Sequence, residues 1–339
     1  MNKVLMFLAI VISLLAISCQ SKKTKTPNKV VETTKSKKEL PEIIKIEGIA
    51  QNPEGIEYDK NDQSFLLSSL NAGPIIKIAH DGTYQPFTNG EPYPMSTAGL
   101  EIDDKHNRLL VAAFNGMELY DNNPATKGVS NLRIYNLKSG KMEKDINLSS
   151  LVPDAKAYFA NDVAVDNEGN AYISDWYAGV VYKVEMNGTP SIFWKNNTGI
   201  SGGANGLDFH PDGYLLVSLV SVNEKGLYVD YGLIKIPTHN SKLAKKVDIP
   251  NAGFRGFDGM VVTDNGHVVG VTNDGKTPGG NSFVSLSSKT NWDSAEVINS
   301  ISIAASTTVA VTPDSENYII NQNFTNNDAE NWTIKQIKL

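Results

Sequence analysis

Along most of this chain, apolar positions alternate with polar ones in short runs, and Gly, Asn, Asp and Pro interrupt them at close intervals. Alternation of period two, bounded by turn residues, predicts strands and tight hairpins rather than helices. A similar phrase then recurs six times: PEGIEYD at 53–59, AGLEIDD at 98–104, NDVAVDNEGN at 161–170, NGLDFHPDG at 205–213, DGMVVTDNG at 258–266 and TTVAVTPDSE at 307–316. Each copy opens on a small or polar pair, continues as a strand built on Ile, Leu, Val or Met, and ends in an Asp/Asn/Gly turn. A second strand follows: SFLLSSL, NRLLVAAF, AYISDWY, YLLVSLV, HVVGVTN and NYIINQN. Aligned on the second residue of the pair (Gly55, Gly99, Asp162, Gly206, Gly259, Thr308), the copies lie 44, 63, 44, 53 and 49 residues apart.

A period of this size, made of strand and turn units, predicts a propeller or solenoid, and six copies predict an all-β, six-bladed β-propeller over 43–339. The run IIKIEGI at 43–49 precedes the first copy. It is expected to join the last blade beside the C-terminal TIKQIKL, closing the ring and removing the sheet edges an open array would expose. The best short helical candidate is SSLVPDAKAY at 149–158, broken by Pro153. Longer intervals mark insertions at 114–131, 221–232 and 273–281, and long loops on one propeller rim usually shape a binding site. Tyr120, Phe159, Trp176, Tyr177 and Tyr228 are aromatic candidates for its walls; packing between blades is the alternative for several of them.

The first 42 residues follow other rules. Residues 1–18, MNKVLMFLAIVISLLAIS, place a Lys ahead of a nearly unbroken apolar run that ends in small residues before Cys19, the only cysteine. This is a signal-peptide plan, too short for a comfortable membrane span. The Leu-Ala-Ile-Ser-Cys junction resembles a bacterial lipobox, which would make Cys19 the lipid-modified N-terminus of a lipoprotein. The alternative is an uncleaved anchor with an incidental cysteine; either exports the chain and ties it to a membrane. Residues 20–42 hold seven Lys, four Thr and two Pro and little to bury, so 19–42 reads as a disordered tether with a reach of roughly 25 Å as flexible coil. The Lys run reads as a solvated spacer, with contact to anionic headgroups as the alternative.

The remaining composition is that of an ordinary globular domain: 40% hydrophobic, 20% charged, formal net charge −6. It lacks the basic footprint of a nucleic-acid partner. The five His are scattered, without metal-binding spacing. One stretch, Gly270 to Thr277, fits the phosphate-loop pattern GxxxxGK[ST], but Pro278-Gly279-Gly280 follows where a helix must begin. Nucleotide binding is therefore not expected. The chain also lacks the GxSxG nucleophile elbow of serine hydrolases.

The chemistry sits in the repeated pair. Four copies carry a carboxylate or carboxamide at its first position: Glu54, Asn161, Asn205 and Asp258. Equivalent points of a propeller face one axis, so these side chains should converge. All four offer oxygen. Hard divalent cations, calcium above all, take six to eight such ligands and accept amide carbonyls, whereas zinc or copper would call for His or Cys. The bland alternative is that these residues cap blade turns.

The order Glu-Gly, Asn-Asp, Asn-Gly, Asp-Gly, each pair opening an inner strand, resembles the regucalcin/gluconolactonase/luciferin-regenerating-enzyme family. That family is made of six-bladed propellers related to the paraoxonase and diisopropylfluorophosphatase types. The resemblance covers nearly all of 43–339, through short motifs only. It implies one catalytic Ca²⁺ or similar ion held by Glu54, Asn161, Asn205 and Asp258, with Asp258 as general base or nucleophile, and hydrolysis of a small-molecule lactone or ester. Two departures bear on the substrate. Sugar-lactonase members carry an Arg where Phe159 stands, so a polyhydroxylated substrate loses a partner; Arg255, three residues before Asp258, is a candidate substitute, or simply a loop residue. A sixth-blade His found in phosphotriesterase-type relatives has no counterpart after His267. Glu101 and Asp162 are expected to line the site beside the ligands. Propellers also serve as non-catalytic ligand- or protein-binding modules with a structural metal, the alternative reading.

Lipid labelling of the chain in a bacterial host is expected to disappear in Cys19→Ala. Labelling that survives the substitution, or a mass retaining residues 1–18, contradicts the lipoprotein reading.

Overall fold

A computed structural model describes residues 39–48, 52–115, 128–224, 228–250, 254–273, 281–321 and 332–339. The chain divides into a unit Met1–Glu39, which apart from Glu39 lies outside the described residues together with Cys19, and a unit Leu40–Leu339 that carries every strand among the described residues. Tyr120 and parts of the three insertions also lie outside them. The architecture is an all-β, six-bladed propeller of six four-stranded sheets.

A lone strand, β1 (Ile43–Ile46), comes first. Blade one is β2 (Ile56–Asp59), β3 (Ser64–Leu67), β4 (Ile76–Ile78) and β5 (Tyr84–Pro86); blade two is β6 (Ser96–Asp103), β7 (Arg108–Asn115), β8 (Val129–Asn136) and β9 (Met142–Asn147). Blade three is β10 (Ala160–Val165), β11 (Ala171–Asp175), β12 (Val180–Val184) and β13 (Pro190–Lys195); blade four is β14 (Gly203–His210), β15 (Tyr214–Val222), β16 (Tyr228–Pro237) and the short β17 (Lys245–Lys246). Blade five is β18 (Met260–Val262), β19 (Val268–Asn273), β20 (Asn281–Ser287) and β21 (Glu296–Ile303). Blade six takes β22 (Val309–Val311), β23 (Asn317–Asn321) and β24 (Trp332–Ile337), and β1 completes it by pairing antiparallel with β24, Ile43 opposite Lys335 and Ile46 opposite Trp332. Every sheet is antiparallel, so the stretch after His267 that fits a phosphate-loop pattern begins as a blade strand, β19. The expected helix at 149–158 shrinks to a single 3-10 turn, Ser149–Leu151, because Pro153 follows at once.

The first strands line the axis. Those of neighbouring blades pack on one another right round the circle: β2 on β6, β6 on β10, β10 on β14, β14 on β18, β18 on β22 and β22 on β2. The second strands lie between blades and are covered on both faces; β3, β7 and β11 are buried throughout. This is why their sequences read as near-continuous Leu, Val, Ala and Ser rather than as clean alternation. The apolar clusters are accordingly shared between blades, as where Ile56 and Phe65 of blade one meet Tyr318, Ile320 and Ile334 of blade six.

The repeated pair sits where the first strand enters the ring. In blades two, three and four the strand slips register there, between Thr97 and Leu100, Ala160 and Val163, and Ala204 and Leu207. Each bulge turns the pair out of the ladder and re-aims its side chains. The second residue of the pair then meets the next blade's pair at close range. A Cβ on Gly206 would stand 2.1 Å from the Asp258 carbonyl oxygen, and one on Gly55 would stand 2.3 Å from the Ala98 carbonyl oxygen. Both glycines are required by approach, since backbone lies on the other side.

Gly206→Ala is therefore expected to force blades four and five apart, at a cost of about 1–3 kcal/mol typical of overpacking. The denaturation midpoint of the purified domain measures this. An unchanged midpoint contradicts the close approach.

Candidate functional site

The six pairs form one closed circuit. Gly55 abuts Ala98, and Gly99 abuts Asn161 and Asp162. The Asp162 carboxylate accepts from the Leu207 N–H at 3.0 Å, linking blades three and four. Gly206 abuts Asp258. The Gly259 N–H donates to the Thr307 carbonyl at 2.6 Å. Finally the Thr307 hydroxyl donates to the Glu54 carbonyl at 2.6 Å, joining residues 253 apart in sequence. In blades one and three a hydroxyl on or just after the second strand steadies the pair: Ser68 accepts from the Gly55 N–H at 2.6 Å, and Ser174 from the Asp162 N–H at 3.0 Å.

Asp258 links two of the other candidate ligands: the Asn205 amide hydrogen-bonds its carboxylate, and its charge acts on Glu54. Glu54 is buried, 8% exposed. Desolvation lifts its pKa well above the usual carboxylate range, and the charges of Asp258 and Asp162 add to the rise. The Asp258 carboxyl is pushed up to about 7 by burial, while hydrogen bonds from the Asn205 amide and the Tyr228 hydroxyl oppose the shift. Asn161 occupies the equivalent point of β10 and is buried to 6% exposure. Asn205, 2% exposed, leaves its side-chain carbonyl oxygen Oδ1 buried without a hydrogen-bond partner. An orphaned amide oxygen costs free energy unless something electropositive meets it.

That observation tests the expected metal against the residues present, and they fit. Two carboxylates repel each other in a desolvated setting, two amides stand at the same register, and one buried oxygen is unsatisfied. The donor set is oxygen alone, as hard cations prefer. Among the described residues no group of three or more His, Cys, Asp or Glu is arranged to hold a metal by itself, so the two amides are essential to such a centre.

The remaining expected residues separate. Asp162 spends its carboxylate on the backbone, accepting from Val163 and Leu207. Glu101 joins Glu57, Asp162 and Asp208 in lining a central cavity of about 250 Å³. Burial raises Glu57 and Asp162 to about 8 and Asp208 to about 7, and Glu101 well above its ordinary value. Arg255 is half-buried in the turn before Asp258. Phe159 is buried, 7% exposed, in an apolar cluster with Leu70, Ala98 and Phe114.

Two features escaped the sequence reading. Tyr228 is a wall candidate only in the sequence, yet its hydroxyl donates to Asp258, and burial, reinforced by the Asp258 and Glu54 charges, pushes the phenol's pKa up. Of the channel carboxylates, Glu101 and Asp162 are expected from the sequence, whereas Glu57 and Asp208 are not, although each follows the first position of a pair by three residues, as Glu101 does.

No family model matches the sequence, and no curated protein matches it. Solved structures do. The major allergen Mala s 1 of Malassezia sympodialis superposes with a TM-score of 0.66 at 20% identity, over 88% of this chain and 97% of that one. The calcium-binding protein regucalcin of Agrobacterium tumefaciens gives 0.58 at 16% identity, over 88% and 93%. A gluconolactonase of Xanthomonas campestris gives 0.55 at 13% identity, over 87% and 89%. The chain thus has the six-bladed propeller fold of the regucalcin, gluconolactonase and luciferin-regenerating-enzyme structures.

Proposed function

We propose that this chain is a metal-dependent hydrolase of a lactone or ester, held at a bacterial membrane by lipid on Cys19, with one calcium-like ion bound by Glu54, Asn161, Asn205 and Asp258. The observation that carries the reading is the buried, unpartnered Oδ1 of Asn205, in a setting where burial raises both Glu54 and Asp258 and the Asp258 charge raises Glu54 further. The shared fold with structures described as a calcium-binding protein and a gluconolactonase supports it.

Such an ion, when bound, supplies Lewis-acid polarisation of the substrate carbonyl and compensates charge developing on its oxygen. The chain's own residues do the rest. Asn205 and Tyr228 hold the Asp258 carboxylate in one orientation. Held by Asn205 and Tyr228, Asp258 is the chain's candidate general base for taking a proton from water. Water adds to the carbonyl carbon, the acyl C–O bond breaks, and the proton ends on the leaving oxygen. Thr307, anchored to the Glu54 main chain, keeps Glu54 fixed at the ring. The near-complete burial of Glu54, Asn161 and Asn205 favours one second reading, a binding propeller whose metal is structural.

A panel of lactones and aryl esters, with and without chelator, decides between them. Chelator-sensitive turnover is expected; saturable metal binding with no turnover across the panel selects the binding module. Asp258→Asn keeps shape and one oxygen, so activity should fall about 10²–10⁴-fold, the usual weight of a general base, with metal affinity falling less. Glu54→Gln should act in the opposite order, weakening metal first. Equal loss of both properties in both variants contradicts this division.

Protons and metal compete for the same carboxylates. The folded pKa of Asp258 is raised to about 7 from an unfolded value of about 4. A raised folded value contributes stability below the unfolded pKa, and this is lost as pH rises through the folded one. Chelated protein should therefore melt at a lower temperature at pH 8 than at pH 5, and added calcium should restore more at pH 8. Calorimetry at both values tests this; a larger calcium effect at pH 5 contradicts it.

A further inference from the structure

Blade two contributes no oxygen to the ring. Its pair begins with Ala98, and the space is taken by an apolar cluster of Leu70, Ala98, Phe114 and Phe159. Phe114 and Phe159 stand with ring centroids 4.1 Å apart. Phe159 continues to Trp176 at 5.9 Å and Tyr177 at 6.0 Å, and Trp176 and Tyr177 stack at 5.4 Å with an 11° angle between planes. These four rings make one continuous wall, with Phe114 and Phe159 as its buried backing and Trp176 and Tyr177 as the face that reaches the surface.

The wall belongs to the same rim as the candidate ligands. The sheets are antiparallel, so the ends of second strands lie beside the starts of first strands: Phe114 pairs with Ser96, and Asp175, just before Trp176, pairs with Ala160. Trp176 also spans two ligand-bearing strands. Its N–H donates to the Phe159 carbonyl at 2.9 Å, two residues before Asn161. Its indole Nε1–H donates to the Val220 carbonyl at 2.9 Å, and the ring covers Gly203, two residues before Asn205. With Nε1 so engaged, the indole offers only an apolar face and edge. Tyr177 is 45% exposed, the most accessible ring of the four.

A wall of this kind rewards a flat, apolar partner through stacking and area burial. It penalises a ligand carrying many hydroxyls, each of which would lose water without finding a partner. Phe159, the residue standing where a sugar-binding Arg would be, is the centre of the wall rather than an isolated change.

Resting on the hydrolase reading above, we propose that the site accepts lactones or esters with an aryl or otherwise flat apolar portion, seated against Trp176 and Tyr177, and discriminates against polyhydroxylated sugar lactones.

The test uses the calcium-loaded protein with dihydrocoumarin and D-gluconolactone as probes, read by turnover and by intrinsic fluorescence. Trp194, Trp292 and Trp332 are 5%, 2% and 7% exposed, so quenching by a bound aryl ligand reports chiefly on Trp176. Wild-type protein is expected to prefer dihydrocoumarin in kcat/KM and to show saturable quenching by it. Tyr177→Ala, at an exposed position that the fold tolerates, should raise both KM and the quenching Kd for dihydrocoumarin about tenfold, the weight of one aromatic contact. It should change kcat little, leave gluconolactone unaffected, and be rescued in Tyr177→Phe. Gluconolactone turned over as efficiently as dihydrocoumarin, or unchanged dihydrocoumarin binding in Tyr177→Ala, overturns the proposal. If neither lactone is hydrolysed but quenching saturates and is lost in Tyr177→Ala, the aromatic subsite stands while the hydrolase reading falls.

Discussion

One hydrogen bond closes the molecule on itself: the Thr307 hydroxyl to the Glu54 carbonyl, at 2.6 Å. It completes a circuit of pair-to-pair contacts in which each blade's repeated dipeptide rests on the next. Because the circuit is closed, the first position of every pair faces the axis from its own sixth of the circle. A side chain placed there by one blade meets those placed by the others, whatever their separation in sequence. The small second residues allow the approach, and the register slips in β6, β10 and β14 aim the side chains. The pairing of β1 with β24 holds the circle shut from outside, so the outermost strand of the last blade is also the first of the chain.

What the closure costs is electrostatic. Glu54 and Asp258 share a desolvated space, and Glu57, Glu101, Asp162 and Asp208 line the cavity on the same axis. Desolvation is the largest cause of every one of these pKa rises, ahead of the repulsion between neighbours. Asp162 and Asp208 offset part of the cost by accepting backbone N–H groups, Val163 and Leu207 in one case, Phe209 and Val262 in the other. The result is a strongly acidic axis flanked at the ring by the aromatic rings of blades two and three. A hard cation and a flat apolar ligand are the partners that such a combination suits.

Most of the fold was legible because the repeat itself encodes it. The alternation, the turn after each copy and the spare strand at 43–49 each map onto a strand position. So does the register of Glu54, Asn161, Asn205 and Asp258, because a six-fold repeat converts sequence phase into direction. Other features depend on geometry that phase does not carry. Tyr228 reaches Asp258 from the start of β16, a third strand outside the repeated phrase, so its role was invisible. Phe159 read as a missing Arg, whereas packing makes it the hub of an aromatic wall. The candidate at 149–158, broken by Pro153 in the sequence, forms only the 3-10 turn Ser149–Leu151. Glu57 and Asp208 share the repeat phase of Glu101, three residues after the first position of a pair, but a lone carboxylate within a strand carries no signal of its own.

A metal centre here requires four oxygens from four blades to meet at one ion. The most direct measurement is a crystal structure of the propeller domain grown with calcium, with the ion identified by its anomalous signal. The predicted result is a single ion on the axis with side-chain oxygens of Glu54, Asn161, Asn205 and Asp258 at about 2.3–2.6 Å, the range for calcium. An axis without an ion at saturating calcium, or an ion held by other residues while these four stay apart, would contradict it.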